Sequence, residues 1–165
     1  MDAGYYIEHL QLRPHPEGGF YRETYRSREN IPHAALPSRF SDARSFSTAI
    51  FYLLEKGNRS LFHRIKSDEC WHFYAGETLL IHVIENNGNY YVVKLGDNIA
   101  AGETLQFVVP ATAWFAAEPA PLTSFSLTGC TVAPGFDFLD FELADKKTLT
   151  SSFPKHADII NLLSH

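Results

Sequence analysis

The sequence predicts an all-β barrel or sandwich with one short helix at each end. Short β-prone segments recur through the middle of the chain at roughly 8–12-residue spacing, and turn residues separate them. One of these turns contains Asn87-Gly88, a dipeptide that strongly favours a hairpin between two strands. Near the C-terminus, apolar residues recur instead at helical spacing.

No linker divides the elements, so residues 1–165 are treated as one domain, with the barrel over about residues 18–143. Residues 5–12 form a predicted amphipathic helix that the following prolines end, because proline lacks the amide hydrogen that a helix needs. A second helix is predicted over about residues 154–164. The predicted strands are residues 20–26, 45–54, 61–65, 70–74, 79–84, 90–95, 105–109, 113–117, 124–133 and 138–143.

Composition argues against several classes of protein. The 14 Lys and Arg residues are outnumbered by 19 Asp and Glu residues, and no basic run is present, so we expect no nucleic-acid partner. The longest apolar run, residues 49–54, is too short to span a membrane. No signal peptide is apparent, and Cys70 and Cys130 cannot form a disulfide framework, so we expect a cytoplasmic domain.

The segment over residues 57–76 contains the main candidates for metal binding or acid–base catalysis. His63 and Ile65 lie two positions apart and therefore share one face of a strand. After a short turn, Glu69 can return to that face on the next strand. An inward-facing carboxylate is costly unless it is paired, so we expect Glu69 to pair with His63. This arrangement suits either metal binding or acid–base catalysis.

This segment resembles the first conserved motif of the cupins, which are small β-barrels of the jelly-roll type. His63 and Glu69 occupy two positions that usually bind metal, whereas Ile65 stands where the motif has its second histidine. The metal-binding histidine of the second cupin motif falls at Phe115. The resemblance therefore retains two of four usual ligands, and we expect weak metal binding unless Gln106 or His82 supplies a replacement donor.

Further motifs make the chain similar to the type-5 cupin family over about residues 5–165, essentially its whole length. The resemblance implies a homodimeric cupin barrel with a ligand-sized cavity, and a fold like that of dTDP-sugar epimerases, seed storage globulins and sugar-binding regulatory domains. The motifs that carry it are residues 14–24, 47–50, 62–69, 71–76 and 129–136.

The candidate catalytic residues are His63 as a base, Glu69 as the group that orients it, and a tyrosine acid, Tyr21 or Tyr74. Aromatic residues and one amide are expected to line a cavity for a small ligand. These candidate ligand-binding residues are Phe51, Trp71, Phe73, Gln106 and Trp114.

Three functions remain open from the sequence. The first is a metal-independent isomerase or epimerase acting on a small polar, sugar-like substrate, which rests partly on analogy of fold. The second is a non-catalytic barrel that binds or senses a small molecule. The third is a metal-dependent cupin enzyme, which needs more donors than the motif retains. We expect a small-molecule ligand and a homodimer, with no cofactor and no membrane partner.

Overall fold

The computed structural model describes residues 1–16 and 18–165 and is dominated by antiparallel strands. In that part of the chain, no helix has the length and apolar character needed to cross a bilayer. The helices are α1 (Ala3–His9), α2 (Lys146–Ser152) and α3 (Ala157–Leu162). The strands are β1 (Arg13–Pro14), β2 (Phe20–Arg26), β3 (Asn30–Ile31), β4 (Arg44–Ser45), β5 (Thr48–Glu55), β6 (Ser60–Arg64), β7 (Asp68–Gly76), β8 (Leu79–Ile84), β9 (Tyr90–Leu95), β10 (Gln106–Val109), β11 (Trp114–Pro119), β12 (Phe125–Ala133) and β13 (Glu142–Leu143).

Two sheets form the body of the molecule. Sheet A has the strand order β1-β2-β5-β12-β7-β10, and sheet B has the order β13-β6-β11-β8-β9. Every neighbouring pair in both sheets is antiparallel, and the short pair β3–β4 lies apart from them. The predicted all-β jelly-roll class is thereby confirmed.

Alternate residues of the strands face the interior between the two sheets. On β11, Phe115 points into this main core, whereas its neighbour Trp114 points to the other side of sheet B. The same alternation on β5 places Tyr52 inside and Phe51 outside. The fully buried members of the main core include Trp71, Leu54, Leu79, Ile81, Leu95 and Phe115.

The C-terminus contains two helices where one was predicted over 154–164. The first, α2, begins after Asp145, whose carboxylate accepts a hydrogen bond of 2.9 Å from the Thr148 amide. The segment is rich in threonine and serine, which have low helix propensity, so its sequence did not predict a helix. Both helices pack on the outer face of sheet B, where they cover Trp114.

Two other predicted elements have different bounds. Helix α1 begins before residue 5 because Asp2 caps it, accepting a 2.9 Å hydrogen bond from the Tyr5 amide. It ends before residue 12, at His9. The predicted strand over 138–143 is a single 3₁₀ turn followed by the two residues of β13.

A buried ion pair fastens the segment after β12 to the rest of the barrel. Arg44 on β4 donates from Nε and Nη2 to the two carboxylate oxygens of Asp140, each at 2.7 Å. Both residues are buried, with 3% and 5% of their surface exposed. The segment they hold, residues 134–141, forms one wall of the cavity described below.

Breaking this pair should destabilise the fold strongly. Arg44→Ala removes the bidentate partner of the buried Asp140 carboxylate and leaves it Lys66, whose Nζ lies 3.6 Å away; we expect the free energy of unfolding to fall by up to about 3–5 kcal/mol. The exposed pair of Arg64 and Glu142 offers a matched control, and Glu142→Gln should cost less than about 1 kcal/mol. Urea denaturation of the three proteins measures both changes. Equal costs at the two sites would contradict the assigned role of the buried pair.

Candidate functional site

A cavity of about 460 Å³ lies between the inner face of sheet A, strand β6 and the segment after β12. Its walls are mainly apolar and aromatic, as is usual for small-molecule sites. The aromatic residues that line it are Tyr21, Tyr52, Trp71, Phe136, Phe138 and Phe141. Its polar groups come from a few side chains, among which are the buried ionisable groups of Glu69 and His63.

The ladder of β5, β12 and β7 builds one wall. Cys130 on β12 lies opposite Ile50 on β5 and opposite Trp71 on β7. One inward-facing position further along β7 lies Glu69, which is opposite Val132. Because inward positions alternate in step across the three strands, these side chains all line the same cavity.

Glu69 is an isolated carboxyl group in this wall. Only 9% of the residue is exposed, and burial raises its pKa from 4.5 to about 7. The Cys130 thiol hydrogen-bonds the carboxylate and opposes part of this rise. No ion pair joins Glu69 to any of the basic groups in residues 1–16 and 18–165. Near neutral pH the carboxyl therefore exists in both its protonated and its ionised form, which suits a group that transfers protons.

His63 is held as a neutral imidazole. Its Nδ1 lies 2.7 Å from the carbonyl oxygen of Leu61, and because a carbonyl only accepts, Nδ1 carries the hydrogen. The other nitrogen, Nε2, is then an acceptor. Burial lowers the pKa of His63 to about 4, and the ring packs against Phe115 with centroids 4.1 Å apart.

The predicted pair between His63 and Glu69 is not formed. The two residues line the same cavity, but His63 belongs to β6 of sheet B and Glu69 to β7 of sheet A. The turn between these strands carries the chain from one sheet to the other. The alternation of side chains along a strand correctly predicted that both residues face the interior. The two side chains are nevertheless separated, because the two sheets lie on opposite sides of the interior.

Trp71 brings an unused hydrogen-bond donor to the cavity. Its Nε1 is buried and has no hydrogen-bond partner in the described part of the chain. A buried indole N–H normally finds an acceptor, so the unpaired one on this cavity-lining residue is a candidate donor to a bound molecule. The expected position of Trp71 in the cavity agrees with this placement.

Tyr21 also lines the cavity, from strand β2, where it lies opposite Tyr52 of β5. Its ring packs edge-on to His15, with centroids 4.9 Å apart. The alternative acid, Tyr74, is half exposed on the outer side of sheet A and does not line the cavity.

Four expected ligand-binding residues lie elsewhere. Phe51 and Trp114 face outward because their strand neighbours face inward, and they pack under α1 and under the C-terminal helices respectively. Gln106 lies on the outer side of sheet A, 2.9 Å from a ring nitrogen of His72. Phe73 packs against the main core beyond the cavity. The strict alternation of a strand explains the outward position of Phe51, Trp114 and Gln106, whereas Phe73 faces inward and lies outside the cavity lining.

Several lining residues were not predicted. Tyr52 lies directly opposite the predicted lining residue Tyr21 on the neighbouring strand, so pairing the two predicted strands in this register would have identified it. Cys130 was considered above for disulfide formation, yet its thiol hydrogen-bonds the carboxyl of Glu69. No local signal indicated that residues 136–141 close the cavity, since their position depends on the distant Arg44–Asp140 pair.

The cavity lining includes Arg26, whose guanidinium uses three of its five N–H donors in hydrogen bonds. Its Nε and Nη2 donate to the carboxylate of Glu23 at 3.0 and 2.7 Å, and its Nη1 donates to the carbonyl of Phe136 at 3.0 Å. Asp137 adds a second carboxylate at this end.

The donor set does not fit a transition metal. Ile65 lines the cavity and Phe115 lies opposite His63 across the strand pair, so hydrocarbon occupies both remaining ligand positions. His82 lies on the outer side of sheet B with Nδ1 2.9 Å from the Tyr90 hydroxyl, so it cannot replace them. The described residues contain no group of three or more His, Cys, Asp or Glu side chains that could hold a metal ion.

The raised pKa of Glu69 should make stability depend on pH. Its folded-state pKa of about 7 exceeds the unfolded value of 4.5, so the folded protein binds more protons between these values and loses stability as pH rises through them. Glu69→Gln removes this titration while His63 stays unchanged. Relative to Glu69→Gln, the wild type should therefore lose about 2–3 kcal/mol of unfolding free energy between pH 5 and pH 8. A constant difference across this pH range, measured by urea denaturation, would contradict the assignment.

Comparison with known proteins shows which family this chain resembles. The family profile described as Cupin superfamily (DUF985) matches residues 4–144. The uncharacterized protein YML079W of Saccharomyces cerevisiae is 28% identical over 152 residues, which are 81% of this chain and 71% of the yeast protein. A structure of a hypothetical protein from Leishmania major superposes with a TM-score of 0.89 at 32% identity, covering 100% of this chain and 99% of that one.

Two further structures extend the comparison. Protein SO0799 from Shewanella oneidensis has a TM-score of 0.88 at 39% identity and covers 100% of this chain and 98% of its own. Oxalate decarboxylase from Bacillus subtilis, at 14% identity and a TM-score of 0.56, covers 91% of this chain and 36% of that one, and shares the fold alone. The chain therefore belongs to the Cupin superfamily (DUF985), as its motifs predict.

Proposed function

We propose that this cupin binds a small polar organic molecule in its cavity and transfers a proton on it, as a metal-independent isomerase or epimerase. One observation is the main support for this proposal. Three buried groups with unused hydrogen-bonding capacity line the same cavity: the Glu69 carboxyl, the His63 Nε2 and the Trp71 Nε1–H. The carboxyl and the imidazole nitrogen accept or exchange protons, and the indole N–H donates a hydrogen bond.

Each group has a defined task in such a reaction. Ionised Glu69 takes a proton from a carbon next to a carbonyl group, and protonated Glu69 returns it to the other face or to the neighbouring carbon. The Trp71 Nε1–H donates to the carbonyl oxygen, where negative charge develops. His63 accepts a hydroxyl hydrogen of the substrate through Nε2. Tyr21 is an additional acid at the cavity wall.

The two alternatives make different demands. A non-catalytic binding or sensing barrel would use the same cavity and would show binding without proton exchange. A metal-dependent cupin enzyme needs donors at positions 65 and 115, where this chain has hydrocarbon. We propose no resident cofactor and, from the composition, a cytoplasmic location.

Proton exchange with solvent tests the proposal. In deuterated water, small hydroxy-ketones and hydroxy-aldehydes should gain deuterium at the carbon next to the carbonyl, as followed by proton NMR. Glu69→Gln should slow this exchange by about a hundredfold or more, because the proton-transferring group is lost. Glu142→Gln, which alters an exposed carboxylate, should leave the rate unchanged. Exchange that is equally fast in Glu69→Gln would contradict the role of Glu69.

Metal binding should appear when one missing donor is restored. Ile65→His adds a second imidazole to the cavity that His63 and Glu69 line, and should raise the affinity for Mn²⁺ or Zn²⁺ by about a hundredfold over the wild type. Titration calorimetry measures both affinities. Adding His63→Ala to Ile65→His should abolish the gain. Tight binding by the wild type that His63→Ala removes would overturn the metal-independent proposal.

We also propose a homodimer. The outer side of sheet A exposes Tyr74 and, on the edge strand β10, Val108, and a shallow groove beside them contains Leu105. Edge strands with exposed apolar residues are commonly covered in assemblies. Light scattering at micromolar concentration should give a particle larger than the 18.6 kDa chain, and a particle of that mass would contradict the dimer.

A further inference from the structure

We infer that the cavity takes an uncharged hydroxy-carbonyl compound and discriminates against phosphorylated or carboxylated ones. This inference rests on the proposed function and names the substrate class for that site. It follows from the charges on the cavity wall and from the hydrogen-bonding groups at its inner end.

The cavity offers no free cation to an anionic ligand. Arg26 is the one Arg or Lys among the described lining residues, and each of its three guanidinium nitrogens already donates to Glu23 or to the Phe136 carbonyl. Phosphate and carboxylate sites in proteins normally supply free arginine, lysine or backbone donors. An anion bound here would have to share the Arg26 guanidinium with the Glu23 carboxylate.

The remaining ionisable groups also oppose an anion. Glu23, Glu69 and Asp137 place three carboxyl groups on the lining, against the single arginine. Burial lowers the pKa of both histidines that line the cavity, His15 and His63, so the neutral form of each is favoured. A phosphate or carboxylate on the ligand would therefore meet a wall that is neutral or negative.

Three other arginines make their contacts outside the cavity. Arg44 is buried against Asp140, and Arg64 pairs with Glu142 while its guanidinium lies over the Trp114 ring. Arg22 donates to the Gln11 side chain at 3.4 Å. None of the three lines the cavity.

The inner end of the cavity matches a carbonyl with a neighbouring hydroxyl. The unpaired Trp71 Nε1–H needs an acceptor, which a carbonyl oxygen supplies. The acceptor Nε2 of His63 needs a donor, which a hydroxyl supplies. Apolar and aromatic walls then enclose the carbon skeleton, as they do in many sites for uncharged ligands.

The reaction on such a compound balances without a co-reactant. Glu69 removes a proton from the hydroxyl-bearing carbon, the C–H electron pair forms a C=C bond, and the carbonyl π pair moves onto the oxygen that Trp71 contacts. The hydroxyl proton passes through His63 to that oxygen. The electron pair left on the hydroxyl oxygen forms the new C=O bond, and the C=C pair moves to the former carbonyl carbon. Glu69 returns its proton to the former carbonyl carbon, so the isomer contains the same atoms and electrons as the substrate.

A matched pair of probes tests the charge preference: dihydroxyacetone, which is uncharged, and dihydroxyacetone phosphate. Ligand-observed NMR titration should show that the wild type binds the uncharged probe about tenfold more tightly or better. Glu23→Gln frees the guanidinium of Arg26, and should tighten phosphate-probe binding several-fold while leaving the uncharged probe unchanged. Equal or tighter binding of the phosphate by the wild type, or binding of neither probe, would overturn the inference.

Two tryptophan variants locate the binding site. Trp71→Phe keeps the aromatic bulk and removes the N–H donor, and should weaken binding of dihydroxyacetone about five- to tenfold. Trp114→Phe makes the same change outside the cavity and should have no effect.

Different results would overturn the two proposals. A preference for the uncharged probe without proton exchange would overturn the proposed reaction. Proton exchange that is faster on the phosphate probe would overturn the substrate class alone. Equal effects of the two tryptophan variants would overturn the placement of the carbonyl group.

Discussion

The antiparallel ladder of β5, β12 and β7 is the constraint on which the site depends. Its register sets Ile50, Cys130 and Trp71 side by side on the inner face of sheet A, with Glu69 one inward position away. A shift of β7 by one residue would turn Glu69 outward and bring Cys70 into its place, because successive strand residues face opposite sides. The position of the carboxyl is therefore a property of the whole sheet.

Among the described residues, the two buried carboxyl groups have opposite surroundings. Asp140 receives a bidentate arginine, and the pair fixes the wall formed by the segment after β12. Glu69 receives only a thiol hydrogen bond, so burial raises its pKa to about 7. A carboxyl left without a cation costs stability in its ionised form, and that cost is what makes its proton available near neutral pH. His63, buried as a neutral acceptor, complements it from the opposite sheet.

The sequence predicted those features that depend on local periodicity and on short turns. The hairpin strands over 79–84 and 90–95 have the predicted bounds because Asn87-Gly88 and β-prone residues agree there. His63 and Glu69 were both expected to face the interior, and they do line one cavity. Their pairing was wrong because parity along a strand says nothing about the distance between two sheets.

Other features depend on contacts between residues far apart in the chain, which local patterns do not encode. The wall over 136–141 is held by an arginine that lies 96 positions before its aspartate. Trp114 and Phe115 illustrate the remaining difficulty. Both are large aromatic residues, and the alternation of β11 places Phe115 inside the barrel and Trp114, the predicted lining residue, outside it.

The most direct test of this account is the titration of Glu69 itself. Carbon-13 NMR of the side-chain carboxyl in the labelled protein should give a midpoint near pH 7, as burial without a cation requires. Cys130→Ala, which removes the thiol donor, should raise that midpoint further. A midpoint near the ordinary value of 4.5 would show that the carboxyl is solvated or paired, and would contradict the central claim that Glu69 is a buried proton-transfer group.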